Sequence, residues 1–140
     1  MFLLDTNALS DFFKNHEKIL ARMVAVPDDE EIVTSIISRI EVLEGRFASI
    51  RKAANREELL IAAERLEHDE ERLATIDILP VTKAVADQFD VLLANKKLKK
   101  IGRPDLLIAC VALANKAILV TRNTKDFAAI PNLKIENWAG

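Results

Sequence analysis

The sequence predicts an α/β fold in which a central, mainly parallel sheet of four to five short strands is flanked by helices. Three observations carry this. Short apolar or β-branched runs alternate with longer helical segments along the whole chain, the pattern that builds a parallel sheet covered on both faces. Only three glycines and four prolines punctuate 140 residues, and no repeat or low-complexity linker divides them, so one domain over residues 1–140 is expected. Half of the residues are hydrophobic, enough at this length for a substantial core.

Phe2–Leu4 reads as a strand. Ala8–Phe13 and Glu17–Val26 read as helices, closed by Pro27 and the polar stretch Asp28-Asp29-Glu30-Glu31. Ile32–Ser35 is a second strand, β-branched and preceded by charge. A helix follows from Ser38 to Ala48, where Ser38-Arg39-Ile40-Glu41 has the form of a capping box. Arg56–Leu73 is helical, with Leu59, Ala63, Leu66 and Leu73 at near-helical spacing. Ile76–Val81, interrupted by Pro80, reads as a short strand, and Thr82 caps a helix running to about Lys97. Gly102 and Pro104 mark a break and a new helix start. The helix Asp105–Asn115 is almost wholly apolar and belongs at the centre of the fold. Ala117–Thr121 is a strand, Lys125–Ala129 a short helical turn, and Leu133–Glu136 the last strand. The order of the strands is left open.

Charge and cysteine content narrow the function. A net charge of -2 and a pI near 5.7 argue against a protein that coats nucleic acid, but they leave room for a nuclease with a local basic patch. The single cysteine, Cys110, precludes an internal disulfide and fits a reducing compartment. No segment has the order of a signal peptide or the length of a membrane span, so a cytoplasmic protein without membrane association is expected.

The chemistry lies in four acids. Asp5 directly follows the first strand, and Glu41 lies on the first turn of the helix after the second. Asp105 opens the apolar helix, and Asp126 follows the strand Ala117–Thr121 by a short loop. In a parallel sheet with helical crossovers, strand ends and the helix starts after them share one edge, where open α/β folds bind ligands. Each acid also has a structural reading. Asp5 and Asp126 would cap helices, Glu41 would close a box with Ser38, and Asp105 would favour a helix dipole. Jointly, carboxylates gathered on one edge raise each other's pKa and need a cation among them. Oxygen donors with no thiol or imidazole nearby suit Mg²⁺ or Mn²⁺. Such an ion orients water and neutralises phosphate charge, which points to phosphodiester or phosphoryl chemistry. His16 and His68 read as surface residues, and Cys110 as core.

Asp5-Thr6-Asn7, Ser38-Arg39-Ile40-Glu41, Pro104-Asp105-Leu106-Leu107-Ile108-Ala109 and Thr121-Arg122-Asn123-Thr124-Lys125-Asp126-Phe127 together resemble the PIN-domain ribonucleases. The likeness is strongest to the VapC toxins of prokaryotic toxin–antitoxin pairs and extends to Ile135-Glu136-Asn137-Trp138. It implies a PIN-like α/β/α sandwich and Mg²⁺- or Mn²⁺-dependent endonucleolytic cleavage of RNA. In that reaction a metal-activated water leaves a 5′-phosphate and a 3′-hydroxyl. Asp5, Glu41 and Asp105 are the implied metal ligands and catalytic residues. Asp126 takes the fourth place, with Asn123 in support. Thr6, Asn7 and Thr121 are supporting residues, the two threonines holding a carboxylate or a phosphate or else capping turns. The resemblance also implies a homodimer and a small antitoxin that blocks the acidic site.

Lys96, Lys97, Lys99, Lys100 and Arg103 form the densest basic run and lead into Asp105. They either guide an RNA backbone or form a solvated helix end. Arg46, Arg51 and Lys52 are weaker candidates. Leu9, Phe12, Phe13, Leu20 and Met23 are many large apolar side chains for two short helices; they either line a partner groove or pack on the domain's own sheet. Three alternatives stand beside the nuclease: a PIN-like scaffold that binds RNA or protein without cutting, a receiver-like phosphoacceptor, and a haloacid-dehalogenase-type phosphatase. A receiver brings two acids to the first strand end, and the phosphatase needs an aspartate at Asn7.

Overall fold

In the computed structural model, which describes all 140 residues, Leu4 pairs with Thr34 on one side and Val120 on the other. The N-terminal strand therefore lies at the centre of the sheet. The strands are β1 (Phe2–Leu4), β2 (Ile32–Ser35), β3 (Asp77–Leu79), β4 (Ile118–Val120) and β5 (Ile135–Glu136). All neighbours are parallel, in the order β3-β2-β1-β4-β5. The helices are α1 (Thr6–Phe13), α2 (Glu17–Ala25), α3 (Ile36–Lys52), α4 (Arg56–Leu73), α5 (Lys83–Ala94), α6 (Arg103–Ala114) and α7 (Thr124–Phe127), with a 3-10 turn at Lys96–Leu98.

Side chains alternate across a strand, so the sheet divides the interior in two. Leu3, Val33 and Leu119 face Val85 and Leu92 of α5 and the buried residues of α6. Leu4 and Val120 face the other way, onto Leu9, Phe12 and Phe13 of α1, Ile19 of α2 and Leu73 of α4. Thr34 is the one polar residue of this central register. It is fully buried and its hydroxyl donates to the Leu4 carbonyl at 2.9 Å. Ile108, Ala109, Cys110, Val111 and Ala112 are inaccessible to solvent, which puts α6 at the centre as its composition requires. Trp138 is buried, packed on Phe2 with ring centroids 5.2 Å apart. No helix is long and apolar enough to cross a membrane.

Several boundaries differ from the sequence reading. The first turn of α3 is capped by Ser35, whose Oγ accepts from the Ser38 N–H at 3.1 Å, so the helix starts earlier than Ser38 and Glu41 lies on its second turn. It also continues to Lys52, where it packs along α4. The strand expected over Ile76–Val81 shortens to Asp77–Leu79 at the sheet edge, and α5 stops at Ala94, leaving Lys96 and Lys97 to the 3-10 turn. Leu9, Phe12 and Phe13 are buried in the domain's own core, so they do not line a partner groove. Leu20 and Met23 of α2 are half-buried and Val24 is exposed beside them, while Ile40 and Phe47 on α3, Leu59, Leu60 and Ile61 on α4 and Val91 and Leu93 on α5 are exposed as well. Inside the α3–α4 hairpin the buried Asp69 carboxylate pairs with Arg46.

Candidate active site

The carboxyl end of β1 delivers Asp5 into the protein rather than to its surface. The residue is 3 % exposed. Its backbone N–H donates to the Val120 carbonyl at 3.0 Å, continuing the ladder to β4, and its Oδ1 accepts from the Ala8 N–H at 2.8 Å. Asp5 is thus the N-cap of α1, and the capping reading holds alongside any other role. Burial pushes its carboxyl above the usual 3.8, opposed by the neighbouring Thr121 hydroxyl, the Ala8 N–H and the Arg122 guanidinium, and reinforced by Asp11.

The next residue reaches across to α3. The Thr6 hydroxyl lies 2.6 Å from Glu41 Oε1 and 3.0 Å from Ser38 Oγ. Thr6 has one proton, and the short contact to the carboxylate takes it, so at Ser38 its oxygen accepts. Ser35, Ser38, Thr6 and Glu41 then form one chain of hydrogen bonds, begun by a 3.4 Å contact between the two serine hydroxyls. The chain fixes the Glu41 side chain towards β1.

Asp105 is the third residue of α6, after Arg103 and Pro104, behind a Gly102 N-cap that offers no side-chain acceptor. Its carboxyl is also pushed above 3.8, first by burial and then by Asp5, Glu41 and Asp126. The other three acids all act on this one carboxyl, which places Asp5, Glu41 and Asp126 around Asp105. They do not close round one point on their own, as mutually repelling carboxylates would not. The donor set is oxygen only, and Cys110 is enclosed in α6 with its thiol pushed up to about 11 by burial. These residues therefore fit a hard divalent cation and give no footing to a thiolate-bound one.

The remaining residues sort themselves by position. Asn123 Nδ2 donates to Asp126 Oδ2 at 3.0 Å, so the two candidates for the fourth place are joined and the Asn123 amide oxygen is left over. The Asn123 N–H donates to Thr121 Oγ1 at 2.9 Å. Asn7 is exposed on α1. Lys96, Lys97, Lys99 and Lys100 are exposed around the buried anchor Leu98, and Arg103 stacks on Phe89 at 5.3 Å. None of these five cations acts on Asp5 or Asp105; Arg122 does. His16 caps α2, and His68 Nε2 lies 3.0 Å from the Phe13 carbonyl, both apart from the acids.

A shallow cleft of about 240 Å³ beside Glu41 is lined by Thr6, Ser10 and Arg46 among others. Of the four acids, this cleft reaches only Glu41, and a larger hollow of about 450 Å³ between α5 and α6 contains none of them. Sequence reasoning paired Ser38 with Glu41 as a capping box, whereas the structure joins them through Thr6, and it missed Ser35, the N-cap of α3. It also passed over Asp11, whose signal was an acid set among Leu9, Phe12 and Phe13.

The PIN domain family model matches residues 2–133. The chain belongs to the PIN-domain family. Within it, the chain is 35 % identical over 144 residues to Ribonuclease VapC1 of Haemophilus influenzae and 34 % identical over 145 residues to Ribonuclease VapC2 of Rickettsia felis. These alignments cover 99 % of this chain and 98 % of each relative. Among solved structures, the fold is similar to VapBC2 of Rickettsia felis bound to a promoter DNA fragment, with a TM-score of 0.82 and 26 % identity over 98 % of both chains. VapBC-1 of nontypeable Haemophilus influenzae gives 0.75 and 28 %, over 99 % of this chain and 98 % of that one. The five-stranded parallel sheet between two layers of helices is the PIN α/β/α sandwich.

Proposed function

We propose that this PIN protein is a metal-dependent endoribonuclease and the toxin of a toxin–antitoxin pair. The observation that carries the reading is the placement of Asp5 after β1, Glu41 on α3, Asp105 in the first turn of α6 and Asp126 after β4, on the carboxyl side of one parallel sheet. The ribonuclease names of its relatives support the reading. Asp5, Glu41 and Asp105 would hold Mg²⁺ or Mn²⁺, with Asp126 and the amide oxygen of Asn123 at the fourth place. When bound, such an ion lowers the pKa of a water and neutralises charge on the phosphate.

The chain's own residues do the positioning. Thr6 holds Glu41 by the charge-assisted bond described above, and the Ala8 N–H holds Asp5. Arg122 and the Thr121 hydroxyl favour the ionised form of Asp5 against the cost of burial. An in-line attack of water on phosphorus at this edge leaves a 5′-phosphate and a 3′-hydroxyl. The lysines 96, 97, 99 and 100 extend the reach of the site for RNA at long range.

The deciding experiment incubates purified, partner-free protein with total cellular RNA in Mg²⁺, Mn²⁺ or EDTA. Discrete fragments bearing 5′-phosphates, lost in EDTA, are expected. A folded protein that cuts no RNA in either metal would leave a non-cutting scaffold. In the same assay, Thr6→Val lowers cleavage about tenfold and higher Mg²⁺ restores part of it, the usual cost of removing an outer partner of a metal ligand. The melting temperature barely moves, because Thr6 is only half-buried.

Its partner, in this reading, is a small antitoxin, as in the VapBC complexes that share the fold. The exposed Phe47, Leu59, Leu60 and Ile61 of the α3–α4 hairpin form the surface for it, and a homodimer of the toxin is expected alongside. Light scattering of the purified protein, alone and with a small antitoxin-like protein if one is encoded beside its gene, tests both.

A further inference from the structure

Asp11 is a carboxylate in the wrong kind of place. It sits on α1 between Leu9 and Phe12, is 7 % exposed, and its Oδ2 is buried without any hydrogen bond. Such a group is retained at a cost unless a charge faces it. The charge that faces it is Arg122, whose Nε lies 3.4 Å from that oxygen. Arg122 follows Thr121 at the carboxyl end of β4, beside Asp5, and it is the one cation acting on the Asp5 carboxyl.

The closest contact is through the inner nitrogen, Nε. The Arg122 side chain is 51 % exposed and makes no ion pair with another residue, so much of the guanidinium faces solvent. Arg46, which lines the cleft next to Glu41, is by contrast drawn back onto the buried Asp69 and is 27 % exposed. A nucleic-acid backbone approaching four carboxylates is repelled unless a fixed cation stands among them. A guanidinium matches a phosphate with two parallel hydrogen bonds, which an ammonium cannot do.

We propose that Arg122, held in place by the buried carboxylate of Asp11, anchors a backbone phosphate of the RNA substrate beside the acidic cluster. Asp11 is then a positioning residue that acts through Arg122. This rests on the endoribonuclease reading above and names the residue that seats its substrate.

The test pairs cleavage kinetics with RNA binding. Binding is read by fluorescence anisotropy of a labelled, mixed-sequence oligoribonucleotide in EDTA across a salt series. Arg122→Gln should raise KM about tenfold, a larger effect than any fall in kcat through Asp5, and should lower the slope of log Kd against log salt by about one. Arg122→Lys should restore the slope and only part of KM. Asp11→Asn should raise KM several-fold, yet add nothing in a protein that already carries Arg122→Gln.

If Arg122→Gln leaves both KM and the salt slope unchanged, or lowers kcat alone, the proposal is overturned while the nuclease reading survives. If the wild-type protein neither binds nor cuts RNA, the nuclease reading falls and this proposal with it. If Asp11→Asn lowers the melting temperature but leaves KM alone, Asp11 is a structural residue and the positioning claim is lost.

Discussion

Asp5→Asn should reduce RNA cleavage by more than a hundredfold while the protein stays folded. Losing an outer partner of a metal ligand costs roughly 10–100-fold, and a ligand itself should cost more. The substitution is matched in size, and asparagine caps a helix as well as aspartate does. The bond from the Ala8 N–H therefore survives, and α1 keeps its start. Burial already disfavours the charge on Asp5, so removing it should hold or raise the melting temperature. Asp5→Ala, in contrast, also loses the cap and about 1 kcal/mol of stability. Cleavage of cellular RNA and thermal unfolding, measured on the same preparations, separate the roles. Cleavage by Asp5→Asn within a few-fold of wild type would reduce Asp5 to a helix cap.

Asp105→Asn should move activity and stability in opposite directions. Activity falls as for Asp5. In the metal-free protein, burial and three neighbouring carboxylates raise the Asp105 pKa above its unfolded value of 3.8. The folded state then binds that proton more tightly, so between the two pKa values the unfolded chain carries fewer protons and stability falls as pH rises. Above the folded pKa the whole penalty is present, and below 3.8 it is gone. Asp105→Asn should thus raise the urea midpoint in EDTA at pH 7, by about 1 kcal/mol in stability, with the advantage shrinking as the pH is lowered into the acid range. Adding Mg²⁺ should stabilise wild type at pH 7 far more than the variant, since a bound ion stabilises only the form that holds it. A difference between the two proteins that is independent of pH would show that Asp105 carries no shared charge.

The positions of three candidate acids were legible because Asp5 and Asp126 follow apolar strands and Asp105 opens an apolar helix. β1, β2 and α6 were legible as short β-branched or unbroken apolar runs bounded by polar or breaking residues, and α4 by its helical spacing of leucines among charges. Local ambiguity explains the miss at α3. Ser35 and Ser38 both have the chemistry of an N-cap, and the choice falls to Ser35 because β2 ends there. The stripe read on α4 was only partly correct, since Leu59 is exposed and the buried positions include Ala62 and Asp69. A carboxylate on the inner face cannot be guessed without the arginine of α3 that meets it. The same holds for Asp11 and Arg122. Their contact depends on α1 lying against the end of β4, which follows from the pairing of Leu4 with Val120. That pairing joins opposite ends of the chain, and no local pattern encodes it.

The central place of β1 has a consequence for the making of the protein. Domains fold largely as units as the chain emerges from the ribosome, N-terminal parts first. Here the first strand made gains its second neighbour only when Ile118–Val120 has been synthesised. A nascent chain already carrying Asp5, Glu41 and Asp105 still lacks the strand that carries Thr121, Arg122 and Asp126 to the same edge. Three of the four acids are thus made well before the strand that carries the fourth to their edge, and the candidate site cannot assemble until that strand is in place.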